Sequence, residues 1–282
     1  MDWLGLVIGN SRSHWAYFRN HALVNRWDTP HSLEMQTYPW QQFLPLEPPG
    51  KESPEIPLFF ASVVPQQTQI WRKYPNSREI VLDDVPLDGM YSSLGIDRAL
   101  AVYAALEKWQ VSSLVVDGGT ALTFTGGIAK PQLEMVGGAI LPGLDLQLRS
   151  LVGGTAALPF LGRSRIDVPS RWGRSTIEAI RSGVVYTLLA GVRDFVQDWQ
   201  QQFPESKIVL TGGDAPIIEK YLQGLDPAWS GQLVIDPDLI FSGIQAIVEQ
   251  KLQNKTFNPL NNLNNDLNND LNNSRRLSWG AS

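Results

Sequence analysis

An acidic residue, two glycines and a hydroxyl follow an apolar run in the segment SSLVVDGGTALTFT, residues 112–125. Asp-Gly between apolar runs is a strong hairpin signal, so the plain interpretation is a tight turn between two strands. The same residues suit a site for phosphate and a cation. Glycines let backbone N–H groups approach an oxyanion. Thr120 offers a hydroxyl, and the Asp117 carboxylate can hold a cation. The segment predicts a hairpin and leaves open whether its turn binds a nucleotide.

The segment GIDRAL, residues 95–100, places Asp97 where a helix is predicted to start. Carboxylates favour that end of a helix, so a capping role is one interpretation. The other is that Asp97 accepts a proton from a substrate hydroxyl while Arg98 holds an anionic group. Both roles need the same geometry at the helix start, so capping does not exclude chemistry.

A second helix start is predicted in RWGRSTIEAI, residues 171–180. Ser175 and Glu178 have the spacing of a capping box, in which a serine is followed by a glutamate three residues later. Thr176 then lies in the first turn, where its hydroxyl can reach a partner.

Strands and helices alternate along the chain, which predicts a layered α/β architecture. A strand is expected on each side of the turn at 117–120, and the helices have good helix formers throughout. The other predicted strands are 4–7, 13–18, 58–63, 80–82, 208–210 and 232–235, and the predicted helices are 96–109, 175–202 and 237–252.

Two segments share one organisation: LGLVIGNSRSHWAYF, residues 4–18, and LVVDGGTALTFTGG, residues 114–127. Each is a strand, a glycine turn with a small polar residue, and a second strand. Gly9 falls on Gly119, and Asn10 falls on Thr120. This match predicts two copies of one fold with a nucleotide in the cleft between them; the alternative is a coincidence between two hairpins.

The predicted organisation is an N-terminal half of residues 1–112 and a C-terminal half of residues 113–253. Residues 260–273 read LNNLNNDLNNDLNN, a repeat that cannot build a core. Residues 254–282 are therefore predicted to be a disordered, low-complexity tail.

Composition excludes several classes of function. The 282 residues are 43% hydrophobic and 18% charged, as in an ordinary globular protein, and carry a net charge of -5. No basic block stands out, so no nucleic-acid partner is expected. There is no cysteine, which excludes disulfides and thiolate zinc sites. No signal-peptide pattern or apolar run of about 18 residues is present, so no membrane association and a cytoplasmic location are expected.

The common nucleotide and hydrolase motifs are missing. The sequence contains neither G-x-x-x-x-G-K-[ST] nor G-x-G-x-x-G, which makes a P-loop and a standard Rossmann site unsuitable interpretations. It contains no H-R-D, D-F-G or G-x-S-x-G, which argues against a protein kinase and an α/β-hydrolase. The three histidines have no metal-ligand spacing.

A set of short segments resembles type III pantothenate kinase in order and spacing, over roughly residues 4–250. The resemblance implies the acetate-kinase/actin/Hsp70-like fold, in which two ribonuclease-H-like halves surround an ATP cleft. It also implies the first step of coenzyme A synthesis, in which ATP and pantothenate give ADP and 4′-phosphopantothenate. The segments are GNS (9–11), LGIDR (94–98), VDGGTA (116–121), GGAILPG (137–143), TAALP (155–159), GRST (173–176) and the late TGG (211–213).

The resemblance assigns residues to ATP and to the ions. It places the first phosphate turn, which binds Mg²⁺-ATP, at Gly9, Asn10, Ser11 and Arg12. Thr120 matches a second ATP contact. Asp117 matches the site of a monovalent cation, K⁺ or NH₄⁺.

The resemblance also assigns the pantothenate site. Asp97 matches the catalytic proton acceptor, and Thr176 matches a contact that reaches pantothenate across a homodimer interface. Tyr91 lies near a family tyrosine that contacts pantothenate, although strict spacing puts Asp88 there. The implied pantothenate-binding residues are Tyr91, Gly95, Ile96, Asp97, Arg98 and Thr176.

One position departs from the family pattern. The first turn usually reads Asp-x-Gly-Asn-Thr, whereas here Val7 replaces the aspartate and Ser11 replaces the threonine. The missing carboxylate normally helps to hold the magnesium of Mg-ATP. Two alternatives to a pantothenate kinase therefore stay open: a non-catalytic ATP-binding regulator of the same family, and a kinase for another small hydroxylated substrate.

Overall fold

The computed structural model describes residues 1–31, 56–153 and 167–253. The predicted tail and the TAALP segment lie outside the described residues. The described residues divide into two compact units, one formed by residues 1–31, 56–80 and 244–253 and the other by residues 81–153 and 167–243. The boundary predicted between residues 112 and 113 marks where the second copy of the strand–turn–strand unit begins, and it stays a prediction.

The first unit contains a five-stranded sheet in the order β3-β2-β1-β4-β5. Strands β1, β2 and β3 form an antiparallel meander, and β4 and β5 add parallel to β1. The elements are β1 (Asp2–Ile8), β2 (Ser13–Arg19), β3 (Ala22–Thr29), β4 (Leu58–Ser62), α1 (Pro65–Trp71) and β5 (Ser77–Glu79).

Alternating residues of this sheet pack into cores on both faces. Leu4, Leu6 and Trp15 lie in one cluster together with Trp71 of α1. On the opposite face, the rings of Trp3 and Phe18 stack with their centroids 3.9 Å apart. Burial on both faces explains why β1 reads as an almost continuous apolar run.

The second unit contains a sheet in the order β10-β9-β6-β7-β8. Here β6, β7 and β8 form the antiparallel meander, and β9 and β10 add in parallel. The strands are β6 (Ser113–Gly118), β7 (Ala121–Ile128), β8 (Glu134–Pro142), β9 (Lys207–Thr211) and β10 (Leu233–Ile235).

Several helices pack against the strands of the second sheet. Helix α4 supplies Leu188, Val192 and Trp199 to a core that includes Val116 and Phe124. Helix α2 packs closely against β7, so a Cβ at Gly127 would meet Val102 and Leu106. The helices are α2 (Ile96–Trp109), α3 (Leu144–Gly153), α4 (Thr176–Gln202), α5 (Ala215–Leu225), α6 (Pro227–Ser230) and α7 (Leu239–Gln253).

The two sheets have the same topology. Each consists of a three-stranded antiparallel meander whose first strand is flanked by two later strands in parallel. The glycine turns at Gly9 and Gly119 follow the first strand of their sheets, β1 and β6. The prediction of two copies of one α/β fold is confirmed.

The strand predicted at 80–82 is wrong. The strand lies earlier, at Ser77–Glu79, and Leu82–Asp84 forms a short 3-10 turn. Ile80 is buried, and its N–H donates to the Phe60 carbonyl where the chain leaves the sheet. The apolar residues at 80–82 therefore reflect burial and not a strand. Among the described residues, no helix is both long and apolar enough to cross a membrane.

Candidate active site

Asp117 lies where two glycine turns meet in the second unit. Its strand, β6, pairs in parallel with β9, and Asp117 is opposite Thr211. The chain then turns at Gly212, whose φ of 87° is in the left-handed region that favours glycine. A Cβ at Gly212 would overlap Asp117 Oδ1 and the Gly118 carbonyl oxygen. The absence of a side chain at 212 is therefore what allows the two turns to meet.

The Asp117 carboxyl is surrounded by protein and lies near two other carboxyls. Surrounding protein desolvates it, and the carboxyls of Asp97 and Asp214 add negative charge, which together raise its pKa to about 7. Its ionised form is therefore disfavoured unless positive charge lies nearby. A bound cation would supply that charge, and a carboxylate oxygen is a suitable ligand for a hard cation.

Asp97 comes from a different element but influences the same site. It lies in the first turn of α2, after the N-cap residue Gly95, and its Oδ1 accepts the Arg98 backbone N–H at 2.8 Å. Desolvation raises its pKa, while the bond from Arg98 opposes that rise. Its negative charge in turn raises the pKa of Asp117. The fold thus brings together two carboxyls from separate segments.

The Arg98 guanidinium is buried and bonded within the unit. Its Nε donates to Thr125 Oγ1 at 3.0 Å, Nη1 to the Tyr91 hydroxyl at 2.8 Å, and Nη2 to the Phe124 carbonyl at 3.3 Å. These bonds fix the Tyr91 ring beside the start of α2, while nearly half of that side chain stays exposed. Arg98 therefore organises the site whether or not it also contacts an anion.

Asp88 has a structural role instead. Its backbone bridges to Leu133 and Met135, and its Oδ2 accepts a hydrogen bond from Gln132 at 2.8 Å. The Tyr91 hydroxyl, by contrast, accepts a hydrogen bond from Arg98, the residue that follows Asp97. Which of the two contacts pantothenate stays a prediction.

Thr120 follows the glycines of the β6–β7 turn and is exposed. Its carbonyl accepts the Gly143 N–H at 2.9 Å, which ties the turn to the end of β8. The Gly119 N–H is used by the turn itself, since it donates to the Ala121 carbonyl. The Thr120 side chain therefore lies on a turn with a defined backbone.

Thr176 begins α4 and is exposed. The predicted cap is present, because Ser175 accepts the Glu178 N–H at 3.3 Å. In return, Glu178 Oε2 accepts the Arg174 N–H at 2.7 Å, one residue earlier than in a standard capping box. Capping therefore leaves the Thr176 side chain facing outward.

In the first unit, residues 9–12 form a closed turn between β1 and β2. The Gly9 N–H donates to the Arg12 carbonyl at 3.0 Å, and the Gly9 carbonyl accepts from His31 Nε2 at 2.9 Å. Val7, two residues earlier, is 4% exposed. Its side chain offers no ligand for a metal.

Comparison with known proteins identifies the family. The model of the type III pantothenate kinase family matches residues 3–198. The type III pantothenate kinase of Nostoc sp. is 44% identical over 262 residues, covering 88% of this chain and 94% of the relative. That of Synechocystis sp. is 44% identical over 246 residues, covering 87% and 90%. The chain belongs to the type III pantothenate kinase family.

Solved structures agree on the fold. A Campylobacter jejuni protein of the Baf transcriptional-activator family has a TM-score of 0.57 at 22% identity, with 89% of this chain and 99% of that chain covered. An activator of 2-hydroxyisocaproyl-CoA dehydratase from Clostridium difficile, with bound ADPNP, has a TM-score of 0.51 at 13% identity, covering 92% and 98%. The predicted actin-like ATPase fold, with its two ribonuclease-H-like sheets, is confirmed.

Membership of a kinase family implies ATP and a divalent metal. Within the described ranges, no group of three or more His, Asp or Glu side chains could hold a metal ion. Val7 has no side-chain oxygen to offer a metal, and the predicted role of Asp117 as a cation ligand stays a prediction.

The sequence analysis of this pantothenate kinase family member assigned no role to two residues that lie beside Asp117. Asp214 is buried beside the Gly118 turn, where its N–H donates to the Gly118 carbonyl at 2.7 Å. Gly212 makes the close approach to Asp117. The sequence signal was the TGG segment at 211–213, whose position beside Asp117 follows from the β6–β9 pairing.

Proposed function

We propose that this chain transfers the γ-phosphoryl group of ATP to the hydroxyl of pantothenate, giving ADP and 4′-phosphopantothenate. The match of residues 3–198 to the type III pantothenate kinase family carries the proposal. Asp97, Asp117 and the Arg98–Tyr91 pair all lie within that range and within one compact unit. The product begins coenzyme A synthesis.

In the proposed reaction, the pantothenate hydroxyl oxygen attacks the γ-phosphorus as the bond to the ADP oxygen breaks. Asp97 accepts the hydroxyl proton, and its raised pKa makes its carboxylate a stronger base. Gly95, Ile96, Arg98, Tyr91 and Thr176 position pantothenate. Phosphoryl transfer depends mostly on positioning and charge neutralisation, so the remaining residues act through contacts with ATP.

ATP contacts are proposed at Gly9, Asn10, Ser11 and Arg12 in the first unit and at Thr120 in the second. Magnesium bound to ATP neutralises phosphate charge. Asp117 is proposed to hold a monovalent cation, K⁺ or NH₄⁺, because its carboxylate needs a positive partner to ionise readily.

The deciding measurement is ADP release, coupled to an optical readout, with and without pantothenate. A pantothenate kinase forms ADP only when pantothenate is present. The buried Val7 favours one alternative, an ATP-binding regulator. That protein would bind ATP but form no ADP in response to pantothenate, and a kinase for another substrate would respond to a different hydroxylated compound.

The cation role is tested by replacing K⁺ with Na⁺ at fixed ionic strength, which keeps general screening constant. Strong activation by K⁺ in the parent, and its loss in Asp117→Asn, are expected. Equal rates in both salts, with the variant matching the parent, would leave Asp117 as an ordinary turn residue.

A homodimer is proposed on the exposed edge of the second sheet. Strand β8 is an edge strand, and its Ile140 and Val136 side chains are 64% and 50% exposed. Unpaired edges and exposed apolar side chains both favour association. Ile140→Asp is expected to give monomers by light scattering. The matched control is Val24→Asp, at a 47% exposed valine on β3, the edge strand of the other sheet.

A further inference from the structure

Two polar side chains without an assigned role, His14 and Asp28, lie beside Arg12 at the first glycine turn. His14 is directly opposite Asp28 in the β2–β3 ladder, and its Nδ1 lies 2.8 Å from Asp28 Oδ1. Arg12 Nη1 lies 4.0 Å from the other oxygen of the same carboxylate. Asp28 therefore holds two nitrogen-bearing side chains at the end of the turn.

The second ring nitrogen of His14 faces the turn. A Cβ at Gly9 would lie 3.7 Å from His14 Nε2, in ordinary van der Waals contact. Because Gly9 has no side chain, nothing from that residue covers Nε2. Among the described residues, no hydrogen bond to this nitrogen is present.

The backbone N–H and carbonyl of Gly9 already have hydrogen-bond partners. Its N–H is bonded to the Arg12 carbonyl, and its carbonyl accepts from His31 Nε2, which must therefore carry the proton. These bonds fix the turn but use the hydrogen-bonding groups of Gly9. Further donors for a phosphate at this turn must come from neighbouring residues.

The valine at position 7 leaves His14 without a second carboxylate beside it on β1. Val7 is directly opposite His14 in the β1–β2 ladder, on the side away from Asp28. Side chains in such pairs are close neighbours. A carboxylate at position 7, which is the usual family residue, would compete with Asp28 for the imidazole. With valine there, Asp28 is the side chain that hydrogen-bonds the ring within the described part of the chain.

We propose that His14, oriented by Asp28, is a further polyphosphate-binding residue of the first turn. Nδ1–H donates to the Asp28 carboxylate, and the imidazolium Nε2–H donates to a phosphate oxygen of ATP or ADP. Asp28 is a positioning residue that acts through His14 and Arg12. The inference rests on the proposed function only in that the chain binds ATP.

The pair is a poor candidate for a purely stabilising role. The side chains of His14 and Asp28 are 40% and 51% exposed. Exposed ion pairs contribute only about 0–1 kcal/mol to stability. Loss of His14 should therefore leave the fold intact, so that effects on nucleotide binding can be measured.

The experiment is calorimetric binding of MgATP, MgADP and adenosine to the full chain without pantothenate. His14→Ala should weaken MgATP binding about tenfold or more, as expected for a charge-assisted hydrogen bond, and leave adenosine binding unchanged. His14→Lys, which restores a cation, should bind MgATP nearly as well as the parent. Asp28→Asn should weaken MgATP binding less than His14→Ala.

The matched control is His21→Ala. His21 Nδ1 lies 3.0 Å from Glu249 Oε1, so it forms the same kind of pair in the same unit, but after the other end of β2. It should bind MgATP like the parent. The proposal is overturned if His14→Ala retains parental affinity, if adenosine binding falls as much as MgATP binding, or if His21→Ala has an equal effect.

Failure of the proposed function gives a different result. A chain that binds MgATP through His14 but forms no ADP with pantothenate would overturn the kinase proposal and support this one. If instead the parent phosphorylates pantothenate and His14→Ala keeps the parental nucleotide affinity, the kinase proposal is supported and the His14 proposal is overturned. Unfolding curves of each variant show that the binding differences do not arise from lost structure.

Discussion

Gly212 lies so close to Asp117 that a single methyl group at position 212 would overlap the Asp117 carboxyl. The contact joins two segments that are distant in sequence, through the parallel pairing of β6 and β9. Both the positive φ and the close approach require glycine. The position of Asp117 thus depends on a residue almost a hundred positions later in the chain.

Gly212→Ala should destabilise the protein by about 1–3 kcal/mol, because alanine is strained at this φ and its Cβ displaces Asp117. The neighbouring Gly213→Ala is the control, since a Cβ there meets no atom within 4 Å. Urea unfolding should give a change within about 0.5 kcal/mol for the control. Equal losses in both variants would contradict the proposed contact.

Asp97→Asn should lower pantothenate-dependent ADP formation about 10²- to 10⁴-fold, the usual size of a general-base contribution. The fold should survive because asparagine is nearly isosteric and tolerated at helix starts. Asp88→Asn is the control, because Asp88 bonds Gln132 and should leave activity near the parental rate. An Asp97 variant that kept more than about a tenth of the activity would contradict the base role.

Tyr91→Phe should raise KM for pantothenate several-fold and change KM for ATP little, because the hydroxyl that accepts from Arg98 also lies in the proposed pantothenate site. Tyr17→Phe is a matched control in the first unit, where Arg19 Nη2 donates to the Tyr17 hydroxyl at 2.9 Å. Steady-state kinetics decide the outcome. Similar KM values for pantothenate in Tyr91→Phe and Tyr17→Phe would contradict a role for Tyr91 in pantothenate binding.

The raised pKa of Asp117 should make the ligand-free protein lose stability as the pH rises. The native carboxyl has a pKa of about 7 and keeps its proton up to about that pH, whereas the unfolded one loses it near the ordinary aspartate pKa of 3.8. The stabilisation is fully present below the unfolded pKa and is lost as the pH rises through the folded pKa. Each pKa unit corresponds to about 1.4 kcal/mol, so the effect should be measurable.

Urea unfolding of the parent and of Asp117→Asn, from about pH 5 to about pH 8 without nucleotide or K⁺, tests this. The parent should lose more free energy of unfolding over this range than the variant does. Parallel pH profiles would show that Asp117 titrates as an ordinary carboxyl.

Local signals in the sequence predicted several elements well. Helix α2 spans the predicted residues 96–109, because good helix formers run without interruption to the left-handed Gln110. The hairpin around Asp117–Thr120 and the Ser175 cap of α4 are also as predicted. Strand β3 was missed because its residues are mostly exposed at a sheet edge and show no apolar pattern.

The sequence by itself determined the family, the repeated strand–turn–strand unit and the identity of the acidic residues, because these reside in short contiguous segments. Only the tertiary structure decided which residues meet. It joined Gly212 to Asp117, placed the charge of Asp97 near that of Asp117, and tied Arg98 to Tyr91 and Thr125. Strand pairing and helix packing create these contacts between distant segments, and desolvation, which sets the pKa of Asp117, exists only once the chain has folded.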